Sequence, residues 1–150
     1  MTPVPQDAIE RGDGEFIAKF ADAFATITKD SVAGRSGTPL VLRPWQRELL
    51  SHVFARDEDG LRHRISLIGV SRKNGKSALA SGIALWSLLT GPKGGEVYSC
   101  AADKDQARIV FGEAKKMLEA DPDLASMAKI YRDAIEIPST NSVYRVLSAE

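Results

Sequence analysis

The chain has 150 residues, 43% of them hydrophobic and 27% charged, a composition that fits one soluble globular domain and excludes a mainly disordered chain. Its 20 basic residues balance its 20 acidic ones, so no net positive field draws in nucleic acid and any such contact must come from a local patch. The single cysteine, Cys100, excludes an internal disulfide and a cysteine-built metal site; neither a basic start followed by an apolar run nor an apolar stretch of membrane-spanning length occurs, so a cytoplasmic location is expected.

In chain order, residues 1–13 are polar, with Pro3 and Pro5, and read as a loose arm. Phe16, Phe20, Phe24 and Ile27, helped by Ile17 and Ala23, recur at spacings of three and four and predict a helix over about 15–28 with those residues on its buried face. Residues 30–39, with Gly34, Gly37 and Pro39, predict a loop. Pro44 suits the first position of a helix carrying Trp45, Leu49 and Val53 on one face. Gln46 then points about 100° away from that face. Its amide can pair with an adenine edge or simply meet water. Residues 55–64 alternate in charge and read as a solvated turn in which Arg62 and Arg64 are weak candidates for nucleic-acid contact; His52 and His63 have no ligand-spaced partners and receive no role.

The stretch Gly69-Val70-Ser71-Arg72-Lys73-Asn74-Gly75-Lys76-Ser77 carries the chemistry. The apolar run Ile65, Leu67, Ile68 before it predicts a buried strand, and the alanine- and leucine-rich segment behind it predicts a helix from Lys76 to about Thr90. A strand feeding a turn whose N–H groups converge on an anion, followed by a helix N-terminus, is the plan of a phosphate-binding loop. Gly75 lets the backbone close on a phosphate, Lys76 brings a mobile charge to the β and γ oxygens, and the Ser77 hydroxyl is placed to ligate Mg²⁺. The usual spacing would put a glycine at position 70, where this chain has Val70.

The helix behind the loop is apolar nearly all round, so it should be buried on several sides, and Gly91-Pro92 ends it. Residues 96–101 predict a second short buried strand containing Cys100, which is expected to act as a small buried hydrophobe. Asp103 and Gln106 form an aspartate version of a capping box, and Ala107, Val110, Phe111, Ala114, Met117 and Leu118 keep helical spacing to about Glu119. Asp121-Pro122 starts another short helix, and residues 130–137 and 143–147 flank a turn as a hairpin. The alternation predicts an α/β fold, a parallel sheet with covering helices of the phosphate-loop NTPase type.

Three passages resemble the ATPase half of the large terminase subunit of tailed bacteriophages, the motor that packages DNA into the procapsid. Leu42-Arg43-Pro44-Trp45-Gln46-Arg47 is similar to the family's adenine-recognising segment. Ser71-Arg72-Lys73-Asn74-Gly75-Lys76-Ser77 is similar to its divergent phosphate loop, and Ala101-Ala102-Asp103 with Gln106-Ala107 to the turn after its second core strand. The resemblance implies that ATP and Mg²⁺ bind here, with Gln46 reading adenine, the loop residues Ser71, Arg72, Lys73, Asn74, Gly75 and Lys76 holding phosphate, Ser77 on the metal, and Arg72 sensing the γ-phosphate or transition-state charge.

Hydrolysis by this class also needs an acidic residue at the end of a later buried strand, and no run of four apolar residues followed by Asp-Glu occurs after the loop. Glu150 ends the 143–150 segment, but Arg145 and Ser148 interrupt it, so it is not taken as that residue. The resemblance therefore implies the N-terminal part of a terminase large subunit, with an arm and helix over 1–38 and an ATPase domain over 39–150 that is incomplete at its C-terminus. Taken alone, the piece is expected to turn over nucleotide weakly or not at all. Double-stranded DNA, portal protein, the small terminase subunit and further copies of the chain are the implied partners, an endonuclease segment the implied continuation, and the bacterial host cytoplasm the implied location. A helicase-like ATPase and a non-hydrolysing interaction remnant are the alternatives. An incomplete sheet should also leave an open edge that favours association.

Overall fold

The computed structural model describes residues 3–30 and 34–148. The expected loose arm contains a short helix, α1 (Gln6–Glu10), which buries Ala8 and carries an Asp7–Arg11 ion pair of 2.8 Å. It is tied down just after its end, where the Asp13 N–H donates to the Phe54 carbonyl and the Asp13 carboxylate accepts from Arg56 at 2.8 Å. Met1 and Thr2, part of the same expectation, lie outside the described residues.

Helix α2 (Gly14–Phe24) buries Ile17, Ala18 and Ala21, while Phe16 is 65% exposed and Phe20 and Phe24 are only partly buried. The expected aromatic face is therefore turned aside. Close approach of neighbouring backbones decides the phase: a methyl group on Gly14 would lie 2.6 Å from the Leu50 carbonyl oxygen, and one on Gly82 would lie 3.8 Å from Ala21 Cβ. Small residues fit there and phenylalanines do not. The helix stops short of residue 28 because Ala25 and Ile27 spend their backbone groups on Leu40 and Thr38, each at 2.9 Å. The expected 30–39 loop follows, with residues 31–33 outside the described set.

Helix α3 (Pro44–Val53) begins at its proline as expected. The charged turn that follows is a minimal hairpin, β1 (Arg56–Asp57) and β2 (Gly60–Leu61), with Arg62 paired to Asp57 at 2.9 Å. Helix α4 (Lys76–Thr90) is the centre of the molecule, packed against α2, α5 (Lys104–Ala120) and the sheet. The fully buried Ser81 hydroxyl lies 2.7 Å from the Ser77 carbonyl and 2.9 Å from the Val110 carbonyl, joining α4 to α5. Asp103 caps α5 by accepting from the Gln106 N–H at 2.8 Å, and Asp121 caps α6 (Pro122–Ser126) in the same manner.

The sheet contains β3 (Glu96–Ala101), β4 (Lys129–Ile130), β5 (Ala134–Ile137) and β6 (Ser142–Ser148) in the order β3-β6-β5-β4. The β3–β6 pair is parallel, running in register from Glu96 opposite Val143 to Ala101 opposite Ser148, while β6–β5 and β5–β4 are antiparallel. One face meets the helices: Ile135, Ile137, Tyr144 and Val146 are buried there, and Tyr144 meets Phe111 of α5 edge-on with ring centroids 5.1 Å apart. Each such side chain contributes roughly 1.5–3 kcal/mol through burial. The other face exposes Tyr98, Cys100, Arg145 and Leu147. Cys100 is thus exposed rather than buried, because alternation along β3 turns residues 96, 98 and 100 to the open face.

The predicted strand over 65–68 does not form. Ile65 is 91% and Leu67 99% exposed, and from His63 to Gly69 no backbone N–H or C=O is hydrogen-bonded among the described residues. A strand exists by pairing, and no described strand lies beside this segment. The parallel sheet expected around it is instead reduced to the β3–β6 pair in a mixed sheet.

Candidate phosphate-loop site

The residues singled out as a phosphate loop fold into one turn between the irregular 63–70 segment and the N-terminus of α4. Two left-handed corners shape it: Lys73 at φ 65° and Gly75 at φ 76°. Glycine takes the second corner freely, whereas at Lys73 the conformation costs on the order of 1–2 kcal/mol. Asn74 braces the turn, its Nδ2 donating to Ser71 Oγ at 2.6 Å and to the Ser71 carbonyl at 3.2 Å. The Lys76 ammonium folds back across the turn and donates to the carbonyls of Val70 (2.8 Å) and Ser71 (3.2 Å).

The first intrahelical bond of α4 runs from Leu79 to Gly75 at 2.9 Å, and no side chain caps the helix. The N–H groups of Lys76, Ser77 and Ala78 therefore have no backbone acceptor among the described residues. Amides without acceptors among the described residues, the positive end of a 15-residue helix and the Lys76 ammonium at one point suit a polyanion. The Ser77 hydroxyl is half-buried and has no hydrogen-bond partner among the described residues. No group of three or more His, Cys, Asp or Glu side chains converges among the described residues. This donor set fits a hard cation that arrives with its phosphates, with Ser77 as the protein's ligand and phosphate and water oxygens as the others. Arg72 is exposed and forms no ion pair among the described residues, so it belongs to the turn without being aimed by it.

Gln46 is placed differently from the helical-wheel expectation. It is 5% exposed, on the buried face with Leu50, while Trp45 is partly exposed. Its Oε1 accepts from the Arg43 N–H at 2.8 Å, one half of a capping box. Its Nε2 lies against the turn: a methyl group on Gly75 would be 3.4 Å from it. The structure thus brings Gln46 against Gly75, twenty-nine positions further along the chain, in the same turn region as Ser71, Arg72, Lys73, Asn74, Lys76 and Ser77.

An apolar groove of about 180 Å³ adjoins the turn, lined by Trp45 and Leu49 of α3, Ile68 and Val70, and Leu79 and Ile83 of α4, with Lys76 at its edge. A larger concavity of about 450 Å³ lies elsewhere, on the open face of the sheet, between Glu96, Glu136, Lys129 and Arg145. Its mixed charges have no catalytic geometry, and the smaller groove is the one beside the chemistry. Sequence reasoning missed a charged cluster where α5 begins: Arg108 forks onto Asp133 at 2.8 and 3.0 Å and reaches Asp105 at 2.8 Å, while Lys104 lies 3.2 Å from Asp133. The Arg108 hydrogen bonds hold the Asp133 carboxyl well below the usual range, and Asp133 in turn raises Arg108. The spacing of residues 104, 105 and 108 is a visible helical signal. Asp133 gave none: it falls inside the strand expected over 130–137, whereas the structure has it in a bend between β4 and β5.

The family described as terminase large subunit, ATPase domain, matches residues 44–150. The chain belongs to that family. The large terminase subunit of Enterobacteria phage HK97 is 30% identical over 143 residues, which is 91% of this chain and 27% of that protein. The crystal structure of the HK97 large terminase superposes with a TM-score of 0.78 at 28% identity, covering 93% of this chain and 28% of that one. This terminase ATPase chain thus spans little more than a quarter of the relatives it matches. The α/β fold and the family resemblance drawn from three short passages agree with these matches. Among the described residues no helix is long and apolar enough to cross a membrane.

Proposed function

We propose that this chain is the ATP-binding, N-terminal part of a phage terminase large subunit, the ATP-driven motor that moves double-stranded DNA into a procapsid. The observation that carries this reading is the convergence on one turn of the Lys76 ammonium and the first α4 amides, which have no acceptor among the described residues. In it, Lys76 bridges the β and γ phosphates, the backbone and side chains of Ser71, Lys73, Asn74 and Gly75 cradle them, and Ser77 ligates the Mg²⁺ that accompanies ATP. Arg72, exposed at the rim, swings to the γ-phosphate or the transition-state charge once nucleotide is present. Portal protein, the small terminase subunit and further copies of the chain are its partners in the host cytoplasm, and an endonuclease completes the full protein. By itself this chain, without a recognisable acidic strand end for the metal, binds nucleotide and turns it over weakly.

Thermal melting tests the reading. A ligand that binds only the folded state at a hundred times its Kd adds about 2.7 kcal/mol. For a domain of this size that is a rise of roughly 5–10 °C in Tm. MgATP should produce this rise in the wild type and not in Lys76→Ala. No shift at millimolar MgATP would leave the interaction remnant as the better reading.

A further inference from the structure

We infer that Asn74 is a positioning residue for the Lys76 ammonium, an inference that rests on the nucleotide site proposed above and names what aims its central charge. Asn74 is half-buried and sits between the two left-handed corners, Lys73 at φ 65° and Gly75 at φ 76°. Both contacts of its side-chain amide run back over the first corner to one residue, 2.6 Å to Ser71 Oγ and 3.2 Å to the Ser71 carbonyl. A carbonyl oxygen only accepts, so the amide atom facing it is the Nδ2 donor. A lysine takes a left-handed conformation only where its surroundings hold it there, and these two bonds span that corner.

The Ser71 carbonyl also accepts from Lys76, at 3.2 Å, beside the Val70 carbonyl at 2.8 Å. A carbonyl has two lone pairs, enough for the amide and the ammonium together. An ammonium has three hydrogens. With two of them on these carbonyls, the third is left for a ligand, and its direction follows from where the carbonyls stand. By fixing the Ser71 carbonyl, Asn74 fixes that direction. With its hydrogens on Ser71, the Asn74 amide shares in holding phosphate through Lys76, and this share is the same for a nucleotide and for a bare polyphosphate.

The test is calorimetric titration of the full chain in Mg²⁺, with ATP and with inorganic tripolyphosphate, at about pH 8, where an ordinary histidine is neutral. The chains compared are wild type, Asn74→Leu, Asn74→His, Lys76→Met and the double variant Asn74→Leu with Lys76→Met. Asn74→Leu keeps the size of the side chain and removes its donor. Asn74 is not a core residue, so the Tm of this variant should stay within about 2 °C of the wild type. Both ligands should weaken by roughly threefold to tenfold. Asn74→His offers an Nδ1–H at a similar reach and should recover most of that loss. With no ammonium to aim, adding Asn74→Leu to Lys76→Met should change either affinity by less than about twofold. An undiminished Asn74→Leu loss in the Lys76→Met chain would overturn the inference, because the amide would then act on the ligand without the ammonium. Unchanged affinity in Asn74→Leu, or a loss that Asn74→His does not recover, would overturn it too. Failure of the wild type to bind either ligand, or binding indifferent to Lys76→Met, would instead remove the nucleotide site itself and this inference with it.

Discussion

Leu67 and Leu85 are the same residue type in apolar surroundings of sequence, and the structure separates them completely. Leu85, on α4, is 1% exposed inside the core, whereas Leu67, in the segment before the phosphate loop, is 99% exposed. Truncating a buried leucine to alanine removes its transfer free energy and leaves a cavity, about 2–5 kcal/mol in all. Leu85→Ala should therefore lower Tm by roughly 5–15 °C. Leu67→Ser removes nothing from the interior and should change stability by less than about 0.5 kcal/mol. The same substitution should reduce self-association, because Ile65, Leu67 and Ile68 lie on a backbone with no hydrogen-bond partners among the described residues, the arrangement that recruits a second strand. Urea titrations of both variants, with sedimentation of each in the folded baseline, read both effects. A loss of 2 kcal/mol or more in Leu67→Ser would show that the segment is packed in solution and refute the argument.

Tyr144→Phe should cost about 1 kcal/mol in the same titration, since it leaves the Ser99 hydroxyl without its partner while the ring contact with Phe111 remains; a neutral result would mean the pair is already hydrated. Asp133 is held below its unfolded pKa by Arg108 and then Lys104, so its stabilisation is complete above the ordinary aspartate range near 3.9 and is lost as pH falls below it. Asp133→Asn should flatten the acid limb of the Tm-versus-pH curve below about pH 4 and leave its shape at neutral pH unchanged; an unaltered acid limb would discount the cluster. Cys100 should react with a bulky disulfide reagent in the native protein at a rate close to that of the denatured chain, and protection without denaturant would show that the open face of the sheet is covered.

How much of this was legible follows from what each signal depends on. Pro44, the Asp103–Gln106 cap, Asp121-Pro122 and Gly91-Pro92 mark helix ends by local chemistry, and α3, α4, α5 and α6 lie where those residues put them. The hairpin turn between the strands expected over 130–137 and 143–147 was equally plain, but the first of these strands is broken after Ile130, where the chain folds back so that β4 pairs with β5. The 65–68 strand was not, since an apolar run announces burial but says nothing about whether a neighbour stands beside it. The phase of α2 failed for a related reason: the phenylalanines have the right spacing, and Gly14 and Gly82 decide which side may come close. At the site, the turn and the helix behind it were readable residue by residue. The burial of Gln46 was not, because the wheel orders residues around α3 without saying which side meets the loop.

The most direct measurement is equilibrium binding of MgATP to the wild-type chain and to Lys76→Ala. The account predicts saturable binding by the wild type and a Kd raised by roughly tenfold to a hundredfold on loss of the ammonium's charge-assisted hydrogen bonds. Equal affinity in the two proteins would contradict the placement of the phosphates at Lys76, on which the proposed function depends.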